Sequence, residues 1–232
     1  MSPAVIELRQ YTLKPGRRDD LIDLFEREFV ETQEACGMTV IGQFSDLDDP
    51  DRFVWLRGFP DMAARLGALK AFYTGPAWRA HRNDANATMI HSDDVLLLRP
   101  LNDASGFGSG GRGPPATAGQ DSPGVVVCGV HRLTGEGDPL VECFRVELAP
   151  RLSEVGLTPA AVLHTHAGPN DFPGLPVREG ETVLVWFAIL PDRERADTAL
   201  AAARRTPELG ELFDGPLQIM RLQPTARSRL YG

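Results

Sequence analysis

At 232 residues, 42% hydrophobic and 24% charged, the chain has room for one large domain or two of about 100 residues, and collagen-like, mucin-like and largely disordered chains are excluded. Twenty-four basic against 32 acidic side chains leave a net charge of −8, which supplies no basic footprint for nucleic acid or for an anionic membrane. Split after residue 101, each part carries 12 basic and 16 acidic residues, a first hint of duplication.

The opening residues MSPAVIELRQ lack a basic segment followed by an apolar run, and no window of about 18 apolar residues occurs. Cys36, Cys128 and Cys143 are odd in number and have no paired spacing, so neither a disulfide framework nor a zinc site is expected. A cytoplasmic location is the expectation.

Val5 to Leu13 alternates as a strand does, Lys14-Pro15-Gly16 turns the chain, and Asp19 or Asp20 is placed to cap a helix running to about Ala35. Leu21, Leu24, Phe25 and Phe29 form one apolar stripe on that helix, with Gly37 as its stop. Met38 to Phe44 and Arg52 to Phe59 read as a hairpin. Asp61 to about Lys70 and Pro76 to Asn86 read as helices, the second with proline in its first turn, and Val95 to Arg99 as the last strand. His91, beside Ser92, Asp93 and Asp94, reads as turn chemistry. The order β-α-β-β-α-β is a ferredoxin-like unit.

Residues 102–124, rich in Gly, Ser, Pro and Ala, lack any periodic pattern and are expected as a flexible linker between domains 1–101 and 125–232. Beyond it Val125 to Leu133 is again a strand, and Leu140, Cys143, Phe144 and Leu148 repeat the helix stripe at an offset of 119. Trp55-x4-Pro60-Asp61 recurs as Trp186-x4-Pro191-Asp192 at an offset of 131, the difference being absorbed by the loop Ala167 to Gly180. Leu96 to Pro100 is echoed by Ile219 to Pro224. Pro150, inside the second long helix, is the local conflict with this duplication.

Two strings carry a family resemblance: Ile6-Glu7-Leu8-Arg9-x-Tyr11-x-Leu13-x-Pro15-Gly16, and Phe72-Tyr73-x-Gly75-Pro76-x-Trp78-x-x-His81-Arg82-x-x-Ala85-Asn86 followed by Val95 to Pro100. Through them the first domain resembles the NIPSNAP family of the dimeric α+β barrel superfamily. The second domain lacks the second string. The resemblance implies an α+β fold in which two tandem ferredoxin-like domains pack sheet against sheet as a pseudo-dimeric barrel, with a small molecule in the interior. It implies no settled reaction.

Alternation along the strands separates Ile6, Leu8, Val54 and Leu56 from Glu7, Arg9, Tyr11, Trp55 and Arg57. The aliphatic set is expected under the helices and the polar and aromatic set on the face the barrel encloses. Two arginines beside Trp and Tyr suit a planar, anionic or carbonyl-bearing ligand, whereas a Glu7–arginine network would serve structure alone. Trp78, His81 and Arg82 share a helix face, His81 as a candidate proton carrier and Arg82 as a candidate anion holder, and Tyr73 of the same string is a further ligand-binding candidate. The bland alternative is packing and capping. His131 aligns with Tyr11 and Trp186 with Trp55, adding an imidazole and an indole.

His164-x-His166 has a spacing metals use, but a third ligand is not evident and no metal is expected. The sequence lacks a nucleophile elbow, a phosphate loop and a dinucleotide fingerprint, and His81 is the sole helix histidine for haem, so no cofactor is expected. The resulting expectation is a barrel that binds a small apolar or aromatic molecule, with His81, His131 and Arg57 as catalytic candidates. As an enzyme it would oxygenate, isomerise or cyclise an aromatic or natural-product intermediate without a cofactor. The alternative is a non-catalytic binding or protein-interaction module. Nucleic acid and membrane are not expected as partners, and the chain is expected as a monomer or homodimer.

Overall fold

The computed structural model describes residues 2–108, 124–135, 137–215 and 217–230. Its first half runs β1 (Val5–Leu13), a helix over 18–35, β2 (Thr39–Asp46), β3 (Arg52–Phe59), helices Met62–Tyr73 and Pro76–Thr88, and β4 (Met89–Pro100). The second runs β5 (Val125–Leu133), a helix over 139–154, β6 (Pro159–Thr165), β7 (Thr182–Leu190), helices Arg193–Arg205 and Gly210–Asp214, and β8 (Gln218–Pro224). The α+β architecture is one closed antiparallel barrel in the order β1-β3-β2-β8-β5-β7-β6-β4. Within each half the strands follow the ferredoxin-like order. Between halves, Phe44 to Asp46 pair with Leu222 to Pro224, and Leu98 to Pro100 with Leu163 to Thr165. These two joints leave no sheet edge open.

Both faces of β1, β3, β5 and β7 are buried, and the face assignment is the reverse of the expectation. Ile6, Leu8, Val54, Leu56, Leu96 and Leu98 meet Val126, Cys128, Val130, Val183, Val185 and Phe187 in one apolar cluster inside the barrel. Most of these side chains have no accessible surface, so the interior is filled rather than hollow. Glu7, Arg9, Tyr11, Trp55 and Arg57 point the other way, under the helices. Alternation sorts residues into two faces; it does not say which cover each face receives when neither meets water. Phe107, expected within the linker, is buried in the barrel cluster with its ring 5.0 Å from that of Phe187. The rest of the expected linker, 109–123, lies outside the described residues.

The two long helices share an irregularity. Each contains a π-helical turn, Phe25–Phe29 in the first and Phe144–Leu148 in the second, which inserts a residue and re-aims the apolar stripe. Pro150 falls two residues after the second π-turn, where the regular hydrogen-bond ladder is already interrupted, and the helix continues through it to Glu154. Gly37 and Gly156, 119 apart, take left-handed φ of 93° and 90° where the helices end. The first helix begins at Arg18 without a side-chain cap, so Asp19 and Asp20 sit in its first turn instead of capping it. His91 is exposed on β4 opposite Thr12, not in a turn. None of the described helices is long and apolar enough to cross a membrane.

Candidate functional site

Between the first half's sheet and its helices lies a fully buried charged cluster. Glu7 and Arg57 face each other across β1 and β3, as do Arg9 and Trp55. Glu7 Oε2 accepts from Arg9 Nη1 at 2.7 Å and Arg57 Nε at 2.8 Å, and its Oε1 accepts from Arg65 Nε at 2.7 Å. Arg57 Nη1 also donates to Gln33 Oε1 at 3.2 Å, while its Nη2 lies 2.7 Å from Glu7 without hydrogen-bond alignment. Burial alone would raise the Glu7 carboxyl, but Arg57, Arg9 and Arg65 outweigh it and hold the group well below the ordinary carboxylate range. Three guanidinium groups to one buried carboxylate leave an excess of positive charge. Asp171 of the 167–180 loop, a quarter exposed, reduces that excess by pairing with Arg65.

Beside the cluster, aromatic rings enclose a cavity of about 30 Å³, room for one or two waters. Tyr11, Trp55, Tyr73 and Trp78 wall it together with Phe25 and Phe29 from the π-turn. Arg9 lies over the Tyr11 and Trp55 rings at 5.5 and 5.6 Å, and Arg57 over Trp55 and Tyr73 at 5.1 and 5.8 Å. The Tyr11 hydroxyl accepts from Arg9 Nε at 3.0 Å and stays protonated, its pKa raised mainly by burial. The arginines thus stack on rings that line the cavity without lining it themselves, and Gln33 is the polar amide in its wall.

A loop of the second half packs against this aromatic cluster. His166 N–H donates to Leu97 and Arg178 N–H to Val95, fastening both ends of the inserted loop to β4. Between those points Phe172 stacks on Tyr73 with ring centres 6.1 Å apart, and Leu175 packs against the same cluster. Asn170 accepts from Arg65 Nη2 and the Phe172 N–H and donates to the Leu175 carbonyl, which sets the loop's shape.

The remaining candidates scatter. His81 lies at the rim, its Nε2 3.4 Å from Glu28 and its ring 6.4 Å from Phe29, while Arg82 projects to solvent. His131 and Trp186 belong to the second half, Trp186 in the cluster under its helices, and neither lines the aromatic cavity. There Trp186 Nε1 donates to His131 Nε2 at 2.9 Å, and burial pushes the His131 pKa down to about 4, so the imidazole is neutral. His166 lies beyond β6, with Nδ1 accepting the Gly168 N–H, and no group of three or more possible metal ligands occurs among the described residues. Arg65, Gln33 and the loop residues 170–175 were not among the expected site residues. Arg65 looks like one more helix-surface charge, and its only sequence signal is that the 131 offset aligns it with an alanine, Ala196.

Residues 6–105 match the sequence profile of the NIPSNAP family. No curated protein matches the chain. Among solved structures, a provisionally named monooxygenase of Fusobacterium nucleatum subsp. nucleatum is similar at a TM-score of 0.59 and 10% identity, over 97% of this chain and 92% of that one. A second provisionally named monooxygenase, from Lactobacillus acidophilus NCFM, covers 98% of both chains at a TM-score of 0.53 and 13% identity. A NIPSNAP-like domain protein of Burkholderia xenovorans has 23% identity and a TM-score of 0.40 over 44% of this chain and 90% of its own. At these identities the first two likenesses establish the fold.

Proposed function

From the premise that residues 6–105 are a NIPSNAP domain, we propose that the first half binds a small, largely apolar or aromatic molecule between its sheet and its helices, and transforms it without a bound cofactor. The observation that carries this reading is the aromatic cavity set against a buried excess of arginine. Tyr11, Trp55, Tyr73 and Trp78 sandwich the ring system, and Arg9 and Arg57 polarise a carbonyl or phenolate oxygen. His81, at the rim beside Glu28, carries protons to and from solvent, a role His131 does not share because it is enclosed in the other half. At about 30 Å³ the cavity is too small for an aromatic ring, so binding requires its aromatic walls to move apart. The provisional names of the two full-length structural neighbours make oxygenation the reaction to test first, ahead of proton transfer or rearrangement.

Thermal shift over a panel of aromatic ketones, phenols and quinols tests binding, and oxygen consumption with the compounds that bind tests turnover. Stabilisation by at least one ring-bearing class is expected, and it should disappear in Ala85→Leu, which fills the cavity wall. A flat panel with the wild-type protein sinks the reading. Binding without turnover supports the second reading, a non-catalytic ligand-binding module, which is favoured by how fully Glu7, Gln33 and Asp171 already occupy the arginines.

A further inference from the structure

The second half contains a hydrogen bond whose counterpart in the first half is missing. Trp186 and Trp55 occupy equivalent places on β7 and β3, 131 apart, and His131 and Tyr11 equivalent places on β5 and β1, 120 apart. In the second half the indole N–H is buried and donates to His131 Nε2 at 2.9 Å. In the first half Trp55 is 2% exposed, and its Nε1 is buried with no acceptor among the described residues. Tyr11 does not substitute for the imidazole. Its ring meets Trp55 edge-on at 6.0 Å between centres, and its hydroxyl is engaged by Arg9. A buried indole N–H without a partner is uncommon in a folded protein, and Trp55 stands on the cavity wall.

We propose that the Trp55 N–H is the donor for an acceptor oxygen of the ligand, so that the site selects aromatic molecules bearing a carbonyl or a deprotonated hydroxyl over plain hydrocarbons. His131 then occupies, inside the second half, the position that the ligand's oxygen takes in the first. This rests on the binding reading above and adds the chemical class. Arg9 and Arg57, both stacked on the Trp55 ring, favour the same partially negative oxygen. An unmet donor discriminates strongly, because an analogue without the acceptor leaves it unpaired on binding.

The test uses matched pairs of methyl- and formyl-substituted arenes of one, two and three rings, titrated into the full chain. Binding is followed by thermal shift and by the indole N–H resonances, of which only three exist. The formyl member should bind at least tenfold tighter and move the Trp55 resonance downfield, while the methyl member leaves that resonance in place. Trp55→Phe should bring each pair to parity. Tyr11→His, which imports the second half's acceptor, should do the same with Trp55 intact, so the outcome does not depend on one variant folding. Parity in the wild-type protein, or a formyl preference surviving in both variants, overturns the Trp55 assignment and leaves the binding site standing. Binding of neither member in any pair overturns the binding reading itself.

Discussion

The two halves share strand register, helix irregularity and turn glycines, yet differ at the positions beneath their helices. Where the first half has Glu7, Arg9, Arg57 and Arg65, the second has Val127, Gly129, Ala188 and Ala196. Gly129 is open ground for Trp186: a Cβ there would lie 2.3 Å from Nε1 of the indole. The second half thus closes the space with its own tryptophan and a neutral histidine, while the first leaves a cavity beside a charged cluster. Since one half folds with small and aliphatic residues at these places, the charges are not a requirement of the architecture. Buried ion clusters are at best a modest source of stability, which is the ground for the functional role proposed for the polar cluster of the first half. The second half also packs against the first, through Asp171, Phe172 and Leu175.

The sharpest way to break this comparison is to remove the cluster's one internal anion. Glu7→Gln leaves Arg9 and Arg57 without a counter-charge and Arg65 with Asp171 alone, and should cost about 3–5 kcal/mol in denaturant unfolding. The fourfold change Glu7→Leu, Arg9→Met, Arg57→Met and Arg65→Met removes charge and counter-charge together and should cost less than the single change. If the fourfold variant is the less stable of the two, the cluster holds the fold together and the contrast between the halves has been misjudged.

Acid separates the halves in a second way. His131 is neutral when folded, with its pKa near 4 against an ordinary 6.5. Above pH 6.5 neither the folded nor the unfolded chain protonates it and the full stability is present. As pH falls from 6.5 to 4 the unfolded chain takes up a proton that the folded chain refuses, and stability declines by about 3 kcal/mol over the window. Glu7 acts lower: its depressed pKa contributes stability that is complete above about pH 4.5 and is lost only as pH falls toward the folded value. Urea titrations at stepped pH should therefore show His131→Gln, which keeps an acceptor for Trp186, flattening the pH 4–6.5 slope and leaving the lower one. An unchanged slope would mean that His131 is not held neutral by burial.

Much of this was legible in the residues. Period-two alternation puts Glu7, Arg9 and Tyr11 on one face and Ile6 and Leu8 on the other, and the offsets of 119 and 131 align the halves. Tyr11 and Trp55 came from the alternation, Trp78 from helix spacing, and Tyr73 from the string that carries the family resemblance. What they withheld was direction: with both faces of β1 buried, aliphatic side chains suit the barrel interior as well as the helix layer, and only the closure of the ring decides. Contacts between residues distant in the chain were equally hidden. Arg65 and Asp171 are 106 positions apart, and the loop that brings them together read only as an excess of length.

The smallest expected effect tests the symmetry itself. The Trp-x4-Pro-Asp repeat ends each time on a residue that caps a helix: Asp61 accepts the Ala64 N–H at 2.7 Å, and Asp192 accepts the Arg195 N–H at 2.8 Å. Both aspartates have extended backbones and stand outside the cluster and the cavity. A capping aspartate contributes through one satisfied N–H and through its charge at the positive end of the helix. Asp61→Ala and Asp192→Ala should therefore each cost about 1 kcal/mol, equally within error. A cost for Asp61→Ala well above that for Asp192→Ala would show that disturbing the helix carrying Arg65 reaches the cluster beneath it, a coupling that the apolar layer under Asp192 does not have.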